Sequence, residues 1–437
     1  MKSQKAIYII GGGPLGLDVI RWAKELGLST IVTDKNEQAP GLALADVEFI
    51  ADAGDVDRHL EFAKTLQAKY EIVGVYCGNE IGVWTIHHLS KFLKLGHNTV
   101  ESLENVLDKV RMKRIWEDSN IPSPHTQLIK KSKELEEIVR CTKIQIIVKP
   151  ALGSGSRGVQ IVKQGSDFAE VFNTCLHSVD GRGEVILETY IEGRSIDANG
   201  VFLEGKFFPA GILEKYITDF PNCLPIAGND PADISKEEQA EVYSLLENGC
   251  RTLGLTFGPV KGDFIRTDKG YQALEVAPRF HGDVTTCNTL PFGSGINPVK
   301  FYFNYLATGE VKTDFLTPTG DNYAAWQVAC LPPGKIKKSL SFEPDGDNTL
   351  SQITKVWFNQ KCLPEIFCYT DTAKIPGYVC VHGGNSKDVE ETLTRFWQDS
   401  RYEVEVNPEH FAWYEQLGKR IEGVGFNKES FGFHKIL

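Results

Sequence analysis

The run IIVKPALGSGSRGVQIV, residues Ile146–Val162, sets two apolar, strand-like segments on either side of one lysine and a glycine-rich loop. Lys149 closes the first segment, so its amine is aimed into whatever the loop covers. Gly153, Gly155 and Gly158 permit positive φ and close backbone approach, and Ser154, Ser156 and Arg157 add donors. Together these suit a flexible cover over phosphate oxygens. The P-loop is excluded, because there the lysine follows the glycines and a helix comes next, whereas Lys149 precedes them and VQIV reads as a strand. Strand, lysine, glycine-rich turn and strand describe a hairpin lid. The plainer alternative is an ordinary mobile hairpin with a solvated lysine.

Around this stretch lies a chain of 437 residues, enough for about three domains. Its 41% hydrophobic and 24% charged residues are ordinary for a globular protein with a sizeable core. The net charge of -11 argues against a nucleic-acid or membrane partner, either of which wants a basic face. A local basic pocket stays open. The ten cysteines show no CxxC or Cys/His ligand spacing, so they read as buried thiols of a reducing compartment, and a cytoplasmic location is expected. The apolar run Ala6–Leu17 is broken by glycines with no cleavage pattern after it, and no other run is long and apolar enough to span a bilayer.

From the start, Ala6–Ile10 reads as a strand, GGGPLG (Gly11–Gly16) opens an amphipathic helix through Leu26, and Leu28–Asp34 is a second strand. The pattern Gly11-x-Gly13-x-x-Gly16 with Asp34 downstream satisfies the dinucleotide fingerprint. The alternative is that the glycines only allow a tight turn and close helix packing. Alternation continues through Glu48–Ala51, a helix over Val56–Tyr70, the strand Ile72–Tyr76 and a helix over Val83–Leu93. This is a doubly wound, mostly parallel unit closing near residue 108. Glu80 follows a strand's carboxyl end, where such sheets bind ligands; it also serves as an ordinary helix-start acid.

Ser102–Ser119 is read as one helical stretch carrying DKVRMKRIW, a charge run of the kind that is usually a solvated face, and NIPSP ends it. Residues 143 to about 205 are expected to form a small α+β lid. Thr218–Ser235 reads as a long irregular loop. The strands VKGDFIR and YQALEVAPRF then place Asp263 and Glu275 across a hairpin. Two carboxylates so close are costly unless a cation lies between them, and such hard oxygens suit magnesium bridging phosphates. The alternative is two solvent-facing acids. Residues 316–437 read as a supporting α+β lobe with no evident chemistry.

In this order the motifs resemble the ATP-grasp superfamily of carboxylate-amine ligases. GGGPLG through Asp34, followed by EQAPGLALADVEFIAD, is similar to the N-terminal domain of N-carboxyaminoimidazole ribonucleotide synthases, where this unit does not bind NAD. GYVCVHGGNSKDVEETLTRFW, Gly377–Trp397, is similar to the C-terminal lobe of L-amino acid ligases. The resemblance implies an α/β and α+β ATP-grasp architecture: a Rossmann-like domain over 1–108, an ATP-grasp region over 109–315 and a C-terminal lobe over 316–437. It implies ATP and Mg²⁺, small-molecule carboxylate and amine substrates, an acyl phosphate attacked by the amine, release of ADP and phosphate, and the family's habit of homodimers. By position it puts Lys109, Lys149, Ser154, Gly155, Ser156 and Gly158 on the phosphates. Glu188, with Thr189 and Ile191, falls beside the adenine, and Ser195 at the ribose. Asp263 and Glu275 take the metal, and Arg279 with Lys149 the reacting groups. Ala277 replaces the family's usual asparagine, and Ser195 a ribose-binding glutamate. The N-terminal likeness also allows a bicarbonate-using carboxylating enzyme, and the two replacements a non-catalytic nucleotide sensor.

Overall fold

The computed structural model describes residues 4–142, 144–178, 184–218, 223–282, 284–320, 322–341, 352–359 and 364–433. Its first unit is built from β1 (Gln4–Ile10), α1 (Leu17–Glu25), β2 (Ser29–Asp34), β3 (Val47–Ile50), α2 (Val56–Leu66), β4 (Tyr70–Cys77) and α3 (Val83–Phe92). The strands form a parallel sheet in the order β3-β2-β1-β4. Ala6 to Ile10 are buried without alternation, because helices cover both faces of the sheet. Ala6, Tyr8 and Ile10 pack toward Ala63 and Leu89, while Ile7 and Ile9 share a core with Phe301 and Phe303 from much later in the chain.

The stretch read as one helix is two, α4 (Val100–Leu107) and α5 (Lys109–Asp118). Asp108 breaks it: with extended backbone its carboxylate accepts the N–H groups of Val110 and Arg111, which caps α5. Of the charge run, Lys109 and Lys113 are buried, and only Arg111 and Arg114 are solvated.

Next come β5 (Thr126–Ile129), α6 (Ser132–Cys141), β6 (Ile146–Pro150), β7 (Gln160–Val162), α7 (Phe168–His177) and β8 (Val185–Thr189). They make an antiparallel sheet, β5-β8-β6-β7, closed on one side by the helices through Leu135, Val139, Val171 and Cys175. The lid therefore begins earlier than residue 143 and ends before 205, since β9 (Arg194–Leu203) pairs elsewhere.

That strand is central to an eight-stranded sheet with β10 (Lys206–Ile217), β11 (Pro225–Asp230), β12 (Gly258–Thr267) and β13 (Gly270–Ala277), and α8 (Lys236–Thr252) lies on one face. The loop expected over Thr218–Ser235 thus contains a strand, β11; its Gly, Asn and Asp mask strand character that pairing on both edges enforces. After the short α9 (Leu290–Phe292), α10 (Pro298–Thr308) returns against the first sheet. The remaining elements are β14 (Tyr323–Val328), β15 (Gly334–Ser341), β16 (Ile353–Phe358), β17 (Glu365–Ile366), β18 (Gly377–Gly383), α11 (Ser386–Asp399), β19 (Arg401–Val406) and α12 (Pro408–Gly423). The large sheet runs β13-β12-β9-β10-β11-β14-β18-β16, so the last third of the chain extends it, while β17-β15-β19 form a small separate sheet. Among the described residues no helix is long and apolar enough to cross a membrane.

Candidate active site

Three neighbouring strands present a row of carboxylates in register. Glu275 on β13 stands opposite Asp263 on β12, which stands opposite Asp197 on β9. A bulge follows the Asp263–Glu275 pair directly, a common device beside functional sites. Like charges paired across strands repel, and lysines are placed to offset that. Lys261 Nζ lies 2.6 Å from Glu275 Oε1 and 2.8 Å from Asp263 Oδ2, so the cation expected between these acids is, in this structure, an ammonium group from β12 itself. Lys215 Nζ is 2.6 Å from Asp197 Oδ1 and 3.5 Å from Asp263 Oδ1. Lys109 Nζ is 3.6 Å from Glu275 Oε2. Burial alone pushes the Glu275 carboxyl up, but Lys261 and Lys109 overcome it and bring it down to about 2. Asp263 is likewise desolvated yet held well below the usual carboxylate range by Lys215, Lys261 and His281. Both acids are thus ionised, acceptor-only oxygens of the kind that hold Mg²⁺.

Facing this row is the lid. Lys149, at the end of β6, is buried and its Nζ sits 2.6 Å from Glu188 Oε2 on β8. Glu188 is only 1% exposed and takes Lys113 at 3.6 Å on its other oxygen, with the Thr126 hydroxyl donating at 3.1 Å. Desolvation pulls Lys113 down to about 8, against the attraction of Glu188. Glu188 is held below its ordinary value because the two lysines outweigh its own burial. Lys109 is tied to the lid, donating from Nζ to the Gly153 carbonyl at 2.7 Å and from its backbone N–H to Ala151 at 3.0 Å.

A cavity of about 750 Å³ separates lid from sheet, within the range of small-molecule sites. Lys109, Lys149, Ser154, Gly155 and Ser156 line it on the lid side, and Glu188, Thr189, Ile191 and Ser195 follow along the chain. Asp263, Glu275 and Arg279 form its floor. Gly158 does not line it: this glycine has φ +71°, and a Cβ there would meet Ser178 Oγ at 2.4 Å, so it serves packing of the lid onto α7. Ser195 Oγ is buried without a hydrogen-bond partner.

Arg279 lies just past β13, with Nη2 2.8 Å from Glu80 Oε1 and Nη1 donating to its neighbour Phe280's carbonyl at 2.9 Å. Glu80 therefore brings the first unit to the cavity rather than merely starting a helix. A purely structural ion pair of Arg279 with a nearby acid such as Asp283 is the alternative reading, and Asp283 lies outside the described residues. The glycine turn of the first unit is filled by its own chain: Asp34 Oδ2 accepts the Gly12 N–H at 2.8 Å, and a Cβ on Gly41 would come within 2.7 Å of Gly12 Cα.

Sequence reasoning missed Asp197, Lys215, Lys261 and Lys113. A signal for the first was present, since Ser195, Asp197 and Asn199 recur at strand period in an otherwise apolar segment. It also missed the last third of the chain, read as chemically silent, yet Trp326 and Tyr378 line the cavity from β14 and β18.

Comparison with known proteins bears on these features. Residues 106–283 match a family profile described as the ATP-grasp domain. A formate-dependent phosphoribosylglycinamide formyltransferase of Prochlorococcus marinus is 27% identical over 193 residues, 43% of this chain and 48% of that protein. The chain spans about half the length of the curated relatives it matches first. An L-amino acid ligase from Bacillus licheniformis superposes with a TM-score of 0.75 at 15% identity, covering 93% of this chain and all of that one. The biotin carboxylase domain of the Hydrogenobacter thermophilus 2-oxoglutarate carboxylase, solved with MgADP, ADP and bicarbonate, gives 0.70 at 18% identity, covering 99% and 98%. Residues 106–283 thus match the ATP-grasp domain, and the overall fold of the chain is the ATP-grasp fold.

Proposed function

We propose that this chain is an ATP-dependent, ADP-forming ligase that activates a carboxylic acid, an amino acid in the first instance, for attack by an amine. The observation that carries the reading is that ionised Asp263 and Glu275 face Lys109, Lys149 and the glycine loop across one cavity. Phosphoryl transfer to a carboxylate brings anions together, and positioning plus positive charge are what such a step demands of a protein. Asp263 and Glu275 fit Mg²⁺, whose bound form supplies charge neutralisation between phosphate oxygens. Lys109 and Lys149 would hold phosphates, and backbone around Thr189–Ile191 the base. Arg279, pre-oriented by Glu80, would anchor the substrate carboxylate through its planar fork. A closed lid keeps water from the activated acid. An amino-acid donor is favoured by the likeness to an L-amino acid ligase over nearly the whole chain.

The test is an ADP-release screen of paired amino acids and small amines, with mass detection of products and bicarbonate varied separately. A product carrying the new amide supports the reading. ADP formation that follows bicarbonate and no amino acid assigns carboxylation instead, and tight MgATP binding without ADP from any pair assigns a sensor.

A further inference from the structure

We infer that His281, Asp197 and Asp263 form a binding site for a divalent first-row metal ion, with a ligand set different from the Asp263–Glu275 pair. His281 Nε2 is 2.9 Å from Asp263 Oδ1 and 3.3 Å from Asp197 Oδ2. Its tautomer is fixed from the other side. Asn199 Oδ1 accepts the backbone N–H of His281 at 2.9 Å, which orients the amide, and the same oxygen lies 3.2 Å from Nδ1. An oxygen facing Nδ1 calls for a donor there, so Nε2 is the ring nitrogen turned to the two carboxylate oxygens, and without a metal a proton on Nε2 joins them. A metal ion that displaces that proton meets one ring nitrogen and two carboxylate oxygens already converged.

The spacing suits a metal. Ligand atoms on adjacent corners of an octahedron with bonds of about 2.1 Å lie about 3 Å apart, close to the two separations here. One imidazole and two carboxylates form a set that first-row divalent ions accept, and a ring nitrogen held by a hydrogen bond from behind is how proteins orient a histidine ligand. The lysines leave the needed atoms available: Lys261 takes Asp263 Oδ2, and Lys215 sits closest to Asp197 Oδ1, though it also reaches Asp263 Oδ1 at 3.5 Å and must yield that contact. Beside the cluster on the same face of β9, the Ser195 hydroxyl is buried and unpartnered. On β13 the residue of that face beyond Glu275 is Ala277, which offers no ligand, whereas Asp197 on β9 stands opposite Asp263.

The test uses the full chain, stripped of metal by a chelator and without nucleotide, titrated with Mn²⁺ and followed by electron paramagnetic resonance. Bound Mn²⁺ with nitrogen-14 hyperfine coupling is expected, and Asp197→Asn and His281→Gln are each expected to weaken binding about 10-fold or more, with folding checked by circular dichroism. No binding at millimolar Mn²⁺, binding without nitrogen coupling, or folded variants that bind like the parent overturns the inference. If a variant does not fold, the nitrogen coupling of the parent decides alone. The inference uses the proposed ligase reading only for what the ion would serve, and because no nucleotide is present, failure of this site and failure of the ADP-release screen are read separately.

Discussion

Glu188 is a carboxylate sealed between Lys149 and Lys113, and this changes what removing Lys149 does. On sequence grounds a lid lysine contributes only charge to the phosphates. In the structure it also neutralises a group that is 1% exposed, and leaving a buried charge half-paired costs about 3 kcal/mol or more. Lys149→Ala is therefore expected to lower turnover about 100-fold or more and to lower the unfolding midpoint. Adding Glu188→Gln is expected to recover part of the midpoint, since it leaves buried Lys113 without its carboxylate, and none of the turnover; a double variant less stable than Lys149→Ala refutes the pairing argument. Arg279→Lys keeps the charge but loses the fork. With a charged hydrogen bond worth about 1.5–3 kcal/mol, kcat/KM for the acid substrate is expected to fall about 10- to 100-fold; a near-parental value removes Arg279 as the anchor. Asp230 offers a cleaner pH signal. Burial raises its carboxyl to about 6, against the Ser294 N–H that it accepts. Its folded value exceeds the unfolded one, so the protonated form is favoured by folding, and the stability it gives at low pH is lost as pH rises from about 4 through 6. Asp230→Asn keeps the acceptor, and is expected to exceed the parent in stability by up to roughly 3 kcal/mol at pH 8, with the difference vanishing near pH 4. A pH-independent difference in urea midpoints would count against this.

At the scale of elements, what is legible in sequence is what is local. The β6–β7 hairpin around its glycine loop and the β12–β13 hairpin carrying Asp263 and Glu275 can be read because partner strands are near in sequence and period-2 alternation fixes which side chains share a face. The strand period of Ser195, Asp197 and Asn199 puts Asp197 on a polar face, but that this face meets Asp263 depends on sheet order, which no local pattern encodes. Lys109 and Lys113 looked like part of a solvated run until Asp108 broke the helix and turned both inward. Gly158 shows the same limit within the β6–β7 hairpin: spacing marks it for phosphate approach, but its neighbour is Ser178. Gly158→Ala combines a left-handed φ of +71° with a Cβ 2.4 Å from Ser178 Oγ. A loss of about 2 kcal/mol is expected, confined to β6, β7 and α7 in hydrogen exchange, because these pack on each other and not on the large sheet. Ser178→Ala in the same background is expected to relieve only the steric part. Protection lost evenly across β9 to β13 would show that the lid is not a separately opening unit.

For the whole molecule, the question is whether the last third is an appendage. Sequence divides the chain at about residue 315, yet the large sheet runs through that point: Ala227 to Asp230 on β11 pair with Ala324 to Gln327 on β14, and β14 pairs on with β18. The core follows the same path, since Leu224 and Ile226 before the division are buried together with Val328, Val379, Phe396 and Trp397 after it. Cutting there would leave β11 as an edge with open N–H and C=O groups, the arrangement that promotes aggregation, and would strip a core rather than a surface. It would also remove Trp326 and Tyr378 from the cavity wall. A chain of residues 1–315 is therefore expected to be insoluble or to lack a cooperative unfolding transition, and co-expression with residues 316–437 to recover soluble protein. Gel filtration with near-ultraviolet circular dichroism decides it: a monomeric 1–315 fragment with fixed aromatic signals and a sharp melt would mean that the sheet closes without β14, and that the substrate cavity is built by the first two-thirds of the chain alone.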